Sequence, residues 1–216
     1  MHTGNFKLED FIDSYRKTRQ YNALSADNVS KQLLDVLYLF KFCTFDYLKE
    51  RVSHLTGYRL TQLYIDPTPN SLKYIAERYN VLIKKDREIT VYVPIGVDVN
   101  TFELELEEEI SSFNISYMLI LYSNYIQIKE DKTSLDMISE LAMQYPVLML
   151  RRLVIDVIEK GGTDIHFISG YENKMPFHHI QYRINRELCE SEFKLSFDAI
   201  KRVVYRNIER VSTASS

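Results

Sequence analysis

Asp164 and His166 have the clearest capacity for proton chemistry in this chain of 216 residues. They stand one residue apart in the apolar run Asp164-Ile-His-Phe-Ile168, which reads as a β-strand, so both side chains fall on one face. A carboxylate beside an imidazole can poise the ring for general acid–base work. No nucleophile or third group is identifiable with them, and the simpler reading has Asp164 capping or pairing locally while His166 supports packing. His178 and His179 are adjacent, so a strand sends them to opposite faces, which does not suit chelation by both. With the nearest cysteine at Cys189, no metal site is expected. Glu103, Glu105, Glu107, Glu108 and Glu109 crowd one stretch and read as a solvated helix face, or as a site for a cation or a basic partner.

A phosphate-binding loop is missing. The six glycines are Gly4, Gly57, Gly96, Gly161, Gly162 and Gly170, and none precedes Lys-Ser or Lys-Thr. Without backbone donors and a lysine for the β- and γ-phosphates, this polypeptide by itself is not expected to hydrolyse ATP.

The elements that would hold these groups lie between Pro146 and Leu188. Val147, Leu150, Val154, Val157 and Ile158 recur at three- and four-residue steps and predict the buried face of a helix, with Arg152, Asp156 and Glu159 opposite. Gly161-Gly162 supplies the stop, because glycine takes a left-handed cap at no steric cost. In the second strand, Ile180, Tyr182 and Ile184 alternate with His179, Gln181 and Arg183, giving one buried and one polar face.

This stretch resembles the segment that precedes the motor domain in type II secretion and type IV pilus assembly ATPases. That family runs through a helix, a small-residue turn, Ser-Asp-Ile-His, and then Arg-x-Arg-[hydrophobic]-Asp-Gly-x-Leu. The chain has Thr163-Asp-Ile-His166 and, later, Gln181-Tyr-Arg-Ile-Asn-Arg-Glu-Leu188. The resemblance implies that Arg183 reaches a nucleotide held by a neighbouring motor domain and stabilises phosphate charge in trans. The plain alternative is a surface arginine in an ion pair. Gln181 replaces the first arginine of the pattern, and Arg186 replaces its glycine, so the turn there is expected to differ.

The rest of the chain predicts a mixed α+β fold of two small domains. Residues 1–29 read as an N-terminal arm. Residues 30–130 read as a docking domain: a helical pair with Leu33, Leu37 and Phe40 on one face, Thr44 capping the second helix and Gly57 ending it. There follow a short strand at Leu63-Tyr-Ile65, a turn at Asp66-Pro-Thr-Pro69 and a helix from Ser71 to Tyr79. Strands are expected at Val81–Lys84, Ile89–Pro94 and Ile115–Leu121, the last followed by Asn124–Ile128, with the acidic helix at Asn100–Phe113. Residues 131–145 read as a linker, with Ile138 to Tyr145 as a connecting helical stretch. Residues 146–216 read as the second domain, closed by a helix capped by Ser196 with Phe197, Ile200, Val204 and Ile208 on its apolar face. Ile75-Ala-Glu-Arg-Tyr-Asn-Val-Leu-Ile83 followed by Glu88-Ile-Thr-Val-Tyr-Val-Pro94 is similar to the first domain of the same family. Some members open that domain with an Arg-Leu-Gly motif for cyclic di-GMP, but here Ser30-Lys-Gln-Leu-Leu-Asp-Val36 stands instead, so that ligand is not carried over.

A net charge of −3 gives no electrostatic reason to expect nucleic acid. No apolar run approaches the roughly 18 residues needed to span a bilayer. Cys43 and Cys189 are expected as free thiols in a reducing compartment, which points to the cytoplasm. The resemblance implies a non-catalytic region of a hexameric ATPase, peripheral to the inner membrane. The second domain is then PAS-like, and the partners are a membrane platform protein and the motor domains of its own and neighbouring subunits. Leu33, Leu37, Phe40, Glu105 and Glu108 are the expected platform contacts. ATP and magnesium belong to the full-length family member, and the isolated chain is expected to be a monomer. The alternatives are a free-standing adaptor without a motor and, more remotely, a small enzyme using Asp164 and His166.

Overall fold

The computed structural model describes residues 26–99, 102–110, 114–172 and 174–213. Both units are α+β: one holds a mixed four-stranded sheet and the other an antiparallel three-stranded sheet. They divide between Asp131 and Lys132. Most of the expected arm lies outside the described residues, and positions 26–29 belong to the first helix.

The first unit opens with α1 (Ala26–Leu39) and α2 (Phe45–Thr56). Thr44 caps α2 as its sequence predicts, its hydroxyl accepting the Tyr47 amide at 3.3 Å. Gly57 ends the helix at φ 77°. The chain continues through β1 (Arg59–Thr61), α3 (Lys73–Tyr79), β2 (Leu82–Lys85), β3 (Ile89–Pro94), α4 (Glu103–Glu109), β4 (Ile115–Ile120) and α5 (Tyr122–Glu130). The strand order is β1-β4-β3-β2, with β4 parallel to both neighbours and β2 antiparallel to β3. A parallel β3–β4 pair needs a crossover, and α4 supplies it. Along β3, Val91 and Val93 join the larger apolar cluster, while Tyr92 joins Leu82, Ile120 and Tyr125 in a smaller one. The period-2 alternation therefore sends β3 side chains into two separate cores.

Two expectations are corrected in this unit. The short strand lies at Arg59–Thr61, not Leu63–Ile65, because the Asn124 side chain takes both the Leu63 amide (2.9 Å) and its carbonyl (2.7 Å). Asn124–Ile128 belongs to α5 and does not extend the sheet. Residues 100, 101 and 111–113 of the expected acidic helix lie outside the described residues.

The second unit comprises α6 (Ser134–Gln144), α7 (Pro146–Glu159), β5 (Gly162–Glu172), β6 (Met175–Ile184), β7 (Glu187–Glu190) and α8 (Phe197–Thr213). The stretch expected as a linker is mostly α6. Thr133 and Asp136 form its capping box, and Met137, Leu141 and Ala142 are buried, so it is part of this unit's core.

The phase of α7 is also corrected. Its buried side chains are Pro146, Leu148, Met149, Leu153, Asp156 and Val157, while Val154 and Ile158 are 40% and 67% exposed. Asp156 can face inward because Arg152, one turn before it, and Lys160, at the helix's C-terminal cap, neutralise it. On α8, Ser196 caps as expected, accepting the Ala199 amide, and Ala199, Ile200 and Val203 are buried. Phe197, expected inside, is 47% exposed and stacks on His178. The Ile208 side chain lies outside the described residues.

The β6–β7 turn settles the question of Arg186. Asn185 and Arg186 both have positive φ, 51° and 71°, and Ile184 pairs with Glu187 across them. Two successive left-handed residues define the hairpin turn that matches strand twist, usually built with Asn-Gly. The turn thus keeps the conformation glycine favours, with an arginine held in it. Arg186→Gly is expected to stabilise the second unit by about 0.5–1 kcal/mol, the left-handed penalty less glycine's entropy cost. Denaturant unfolding followed by tyrosine fluorescence checks this, since the chain has no tryptophan.

Candidate functional site

The candidate site is the outer face of the β5–β6–β7 sheet. The ladder sets Asp164 opposite Arg183, His166 opposite Gln181 and Ile168 opposite His179. On the other side of β6, Gln181 faces Glu190 and Arg183 faces Leu188. Alternation sends Tyr182 (0% exposed) and Ile180 (3%) inward with Ile165 and Phe167 as cross-strand neighbours, so the polar residues share the outer face.

Arg183 is held there by Asp164, with Nε 3.6 Å from Oδ2 and the two side chains 48% and 53% exposed. A pair this open to water is worth on the order of 0.2–1 kcal/mol. The guanidinium can therefore leave Asp164 for a phosphate at little cost. The plain reading of Arg183 as a surface ion pair is met in this structure, and the weakness of that pair keeps the arginine available.

The acid–base reading of Asp164 and His166 has no geometric support. Asp164 accepts the Thr163 hydroxyl at 2.7 Å and pairs with Arg183, and no bond joins it to His166. The His166 Nε2 atom is buried without a hydrogen-bond partner among the described residues. His179 engages Glu190 at 2.8 Å, whereas His178 meets the Ser169 hydroxyl at 3.2 Å. The two adjacent imidazoles thus have different partners. Among the described residues no cluster of three or more His, Cys, Asp or Glu side chains could hold a metal ion.

Behind the sheet lies a polar network that pattern reading assigned to the solvent face. Asp156, 4% exposed, receives Lys160 Nζ at 3.0 Å and Arg152 Nη2 at 3.5 Å. Lys160 also reaches Glu192 at 3.1 Å and lies 5.5 Å above the Tyr182 ring. Burial alone would lower the Lys160 pKa, but the bonds to Asp156 and Glu192 outweigh it and leave it raised. Tyr182 is closed off in turn: its hydroxyl accepts the Ser191 hydroxyl at 2.8 Å, and burial holds the phenol well above its ordinary pKa, with Asp156 adding to the shift. This network braces β6 from the inside while Arg183 projects outward. The signal for it was the four-residue spacing of Arg152, Asp156 and Lys160 along one helix and its C-terminal cap.

The proposed platform contacts fare differently. Leu33, Leu37 and Phe40 are 5%, 0% and 0% exposed, so this face is core and not docking surface. An apolar stripe at helical spacing serves either end, and here all three side chains are buried. Glu108 is exposed on α4, and the Glu105 side chain lies outside the described residues. Leu106 and Ile110 anchor α4, and Glu103 and Glu107 act on Tyr117, whose phenol is pushed up to about 12 chiefly by burial. Cys43 and Cys189 are both free thiols, and burial pushes Cys43 up to about 12.

Taken together, fold and site define a two-unit α+β protein whose candidate site is an arginine-bearing open sheet. No protein-family model matches the chain, and no curated protein matches it. Among the described residues no helix is long and apolar enough to cross a membrane.

Proposed function

We propose that this chain is the non-catalytic N-terminal region of a hexameric, cytoplasmic secretion or pilus assembly ATPase. It couples ATP hydrolysis to pilus or pseudopilus assembly and docks the motor at an inner-membrane platform protein. One observation carries the reading: Arg183 stands on the open face of a braced sheet, in the Thr163-Asp-Ile-His166 and Arg183-Ile-Asn-Arg-Glu-Leu188 context, held by a weak exposed pair with Asp164. Such an arginine can serve a phosphate bound by an adjacent subunit, where a guanidinium fork matches the developing charge. The second unit is the PAS-like module in this reading, and α4 with exposed Glu108 is the remaining candidate for platform contact.

A free-standing adaptor is the second reading; the lack of any Gly-x-x-x-x-Gly-Lys-[Ser/Thr] sequence in these 216 residues fits it and the first reading alike. The test is Arg183→Ala in the assembled ATPase. The expected result is a fall in kcat of about a thousandfold or more, within the range that such arginines contribute. Denaturant unfolding should be nearly unchanged, because the Asp164 pair adds little. Unchanged ATP turnover would remove Arg183 from the mechanism.

A further inference from the structure

Asp35 is a carboxylate that the fold buries almost completely, 1% exposed, in the middle of α1. Its Oδ1 accepts the Ser123 amide at 2.8 Å, tying α1 to the first turn of α5 across 88 positions of sequence. Its Oδ2 is buried with no hydrogen-bond partner among the described residues. Leu33, Val36 and Leu37 of the same helix, and Phe40 just after it, are also buried.

We propose that Asp35 is a proton-dependent latch that seats α1 against α5 and loosens it when ionised. The geometry gives each protonation state a different balance. Neutral, the carboxyl keeps the Ser123 bond through Oδ1 and carries no charge on its unpartnered oxygen. Ionised, it strengthens the bonding to Ser123 but leaves a charge that no cation among the described residues offsets. The charged side chains of the packed helices do not supply one. Lys129 of α5 is drawn to Asp66, Glu130 is exposed, and Asp46, Lys49, Glu50 and His54 of α2 are exposed. Arg51 of α2 is half-buried and is not among the groups that shift Asp35. Tyr122 and Tyr125 of α5 and Tyr47 of α2 carry no charge near neutrality. Burial therefore dominates over the Ser123 bonds and pushes the Asp35 carboxyl up to about 7 from 3.8.

The sign follows directly. The folded value lies above the unfolded one, so the seated helix binds a proton that the released helix gives up. The latch is complete below about pH 4, is lost progressively as pH rises towards 7, and changes no further above that.

Hydrogen exchange of the α1 amides from Leu34 to Leu39 tests this on the full chain. After division by the intrinsic rate at each pH, the open population should rise close to tenfold between pH 5 and pH 6 and level off above pH 7. In Asp35→Asn the corrected profile should be flat. A flat profile in the natural chain, or the same rise in the variant, overturns the proposal. Should Asp35→Asn fail to fold, the carboxyl carbon of Asp35 decides, followed by NMR on the natural chain. A midpoint near 7 that coincides with the amide changes supports the latch, and a midpoint near 4 overturns it.

Discussion

Asp156→Ala is expected to cost the second unit about 3 kcal/mol, a loss typical of breaking a buried pair by removing one partner. The carboxylate is 4% exposed and neutralises two cations of unequal freedom. The Lys160 side chain is 31% exposed and can turn to water or to Glu192, whereas that of Arg152 is only 12% exposed. The Arg152 Nε atom is already buried without a partner among the described residues, and Glu159, its second anchor at 3.4 Å, is 59% exposed and so more open to water. The buried guanidinium, left with only the solvent-exposed Glu159 as its anion among the described residues, therefore carries most of the penalty. Denaturant unfolding of Asp156→Ala, Arg152→Met and the double variant gives the coupling directly. The double variant should recover a large part of the loss, because a long apolar side chain suits the emptied site. Additive losses would show that the pair is not coupled.

Gly162→Ala is the second large effect, expected at about 1–3 kcal/mol or more, the range for forced overpacking. A Cβ at this position would stand 2.5 Å from Val157 Cγ2, 3.0 Å from the Arg183 carbonyl oxygen and 3.2 Å from the Val157 carbonyl oxygen. The methyl of Val157 can be removed, but the two backbone oxygens can move only by shifting α7 or β6. Gly162→Ala/Val157→Ala is therefore expected to recover part of the stability and not all of it. Because the Arg183 backbone is one of the contacts, the arginine should move even where the fold survives. Chemical shifts of the Arg183 and Asp164 amides read that displacement. Unchanged shifts and a loss below about 0.5 kcal/mol would mean that this junction is less tightly packed than the distances state.

Much of the fold was legible because local chemistry and tertiary packing agree. Thr44, Gly57, Gly161 and Ser196 punctuate their helices as sequence rules require, and β6 alternates as written. The errors have a common cause in side chains whose partners are distant in sequence. Asn124 takes the backbone groups of Leu63 and so displaces the expected strand. Asp156 turns inward because its neutralising cations stand four residues to either side, which rotates the apolar stripe outward and exposes Val154 and Ile158. Leu33, Leu37 and Phe40 were readable as apolar but not as core, since periodicity reports a face and not what covers it. At the candidate site, the facing of Asp164 and His166 was readable from alternation, but the partner of Asp164 was not. That choice belongs to strand register, which sets Arg183 directly opposite.

The coding sequence immediately beyond the Ser216 codon tests the central claim most directly. A coupling region needs an engine, and the engine's phosphate cradle is a Gly-x-x-x-x-Gly-Lys-[Ser/Thr] loop. The account predicts that loop in the same reading frame downstream. A stop codon directly after Ser216 would contradict it and leave the chain an adaptor without a motor of its own.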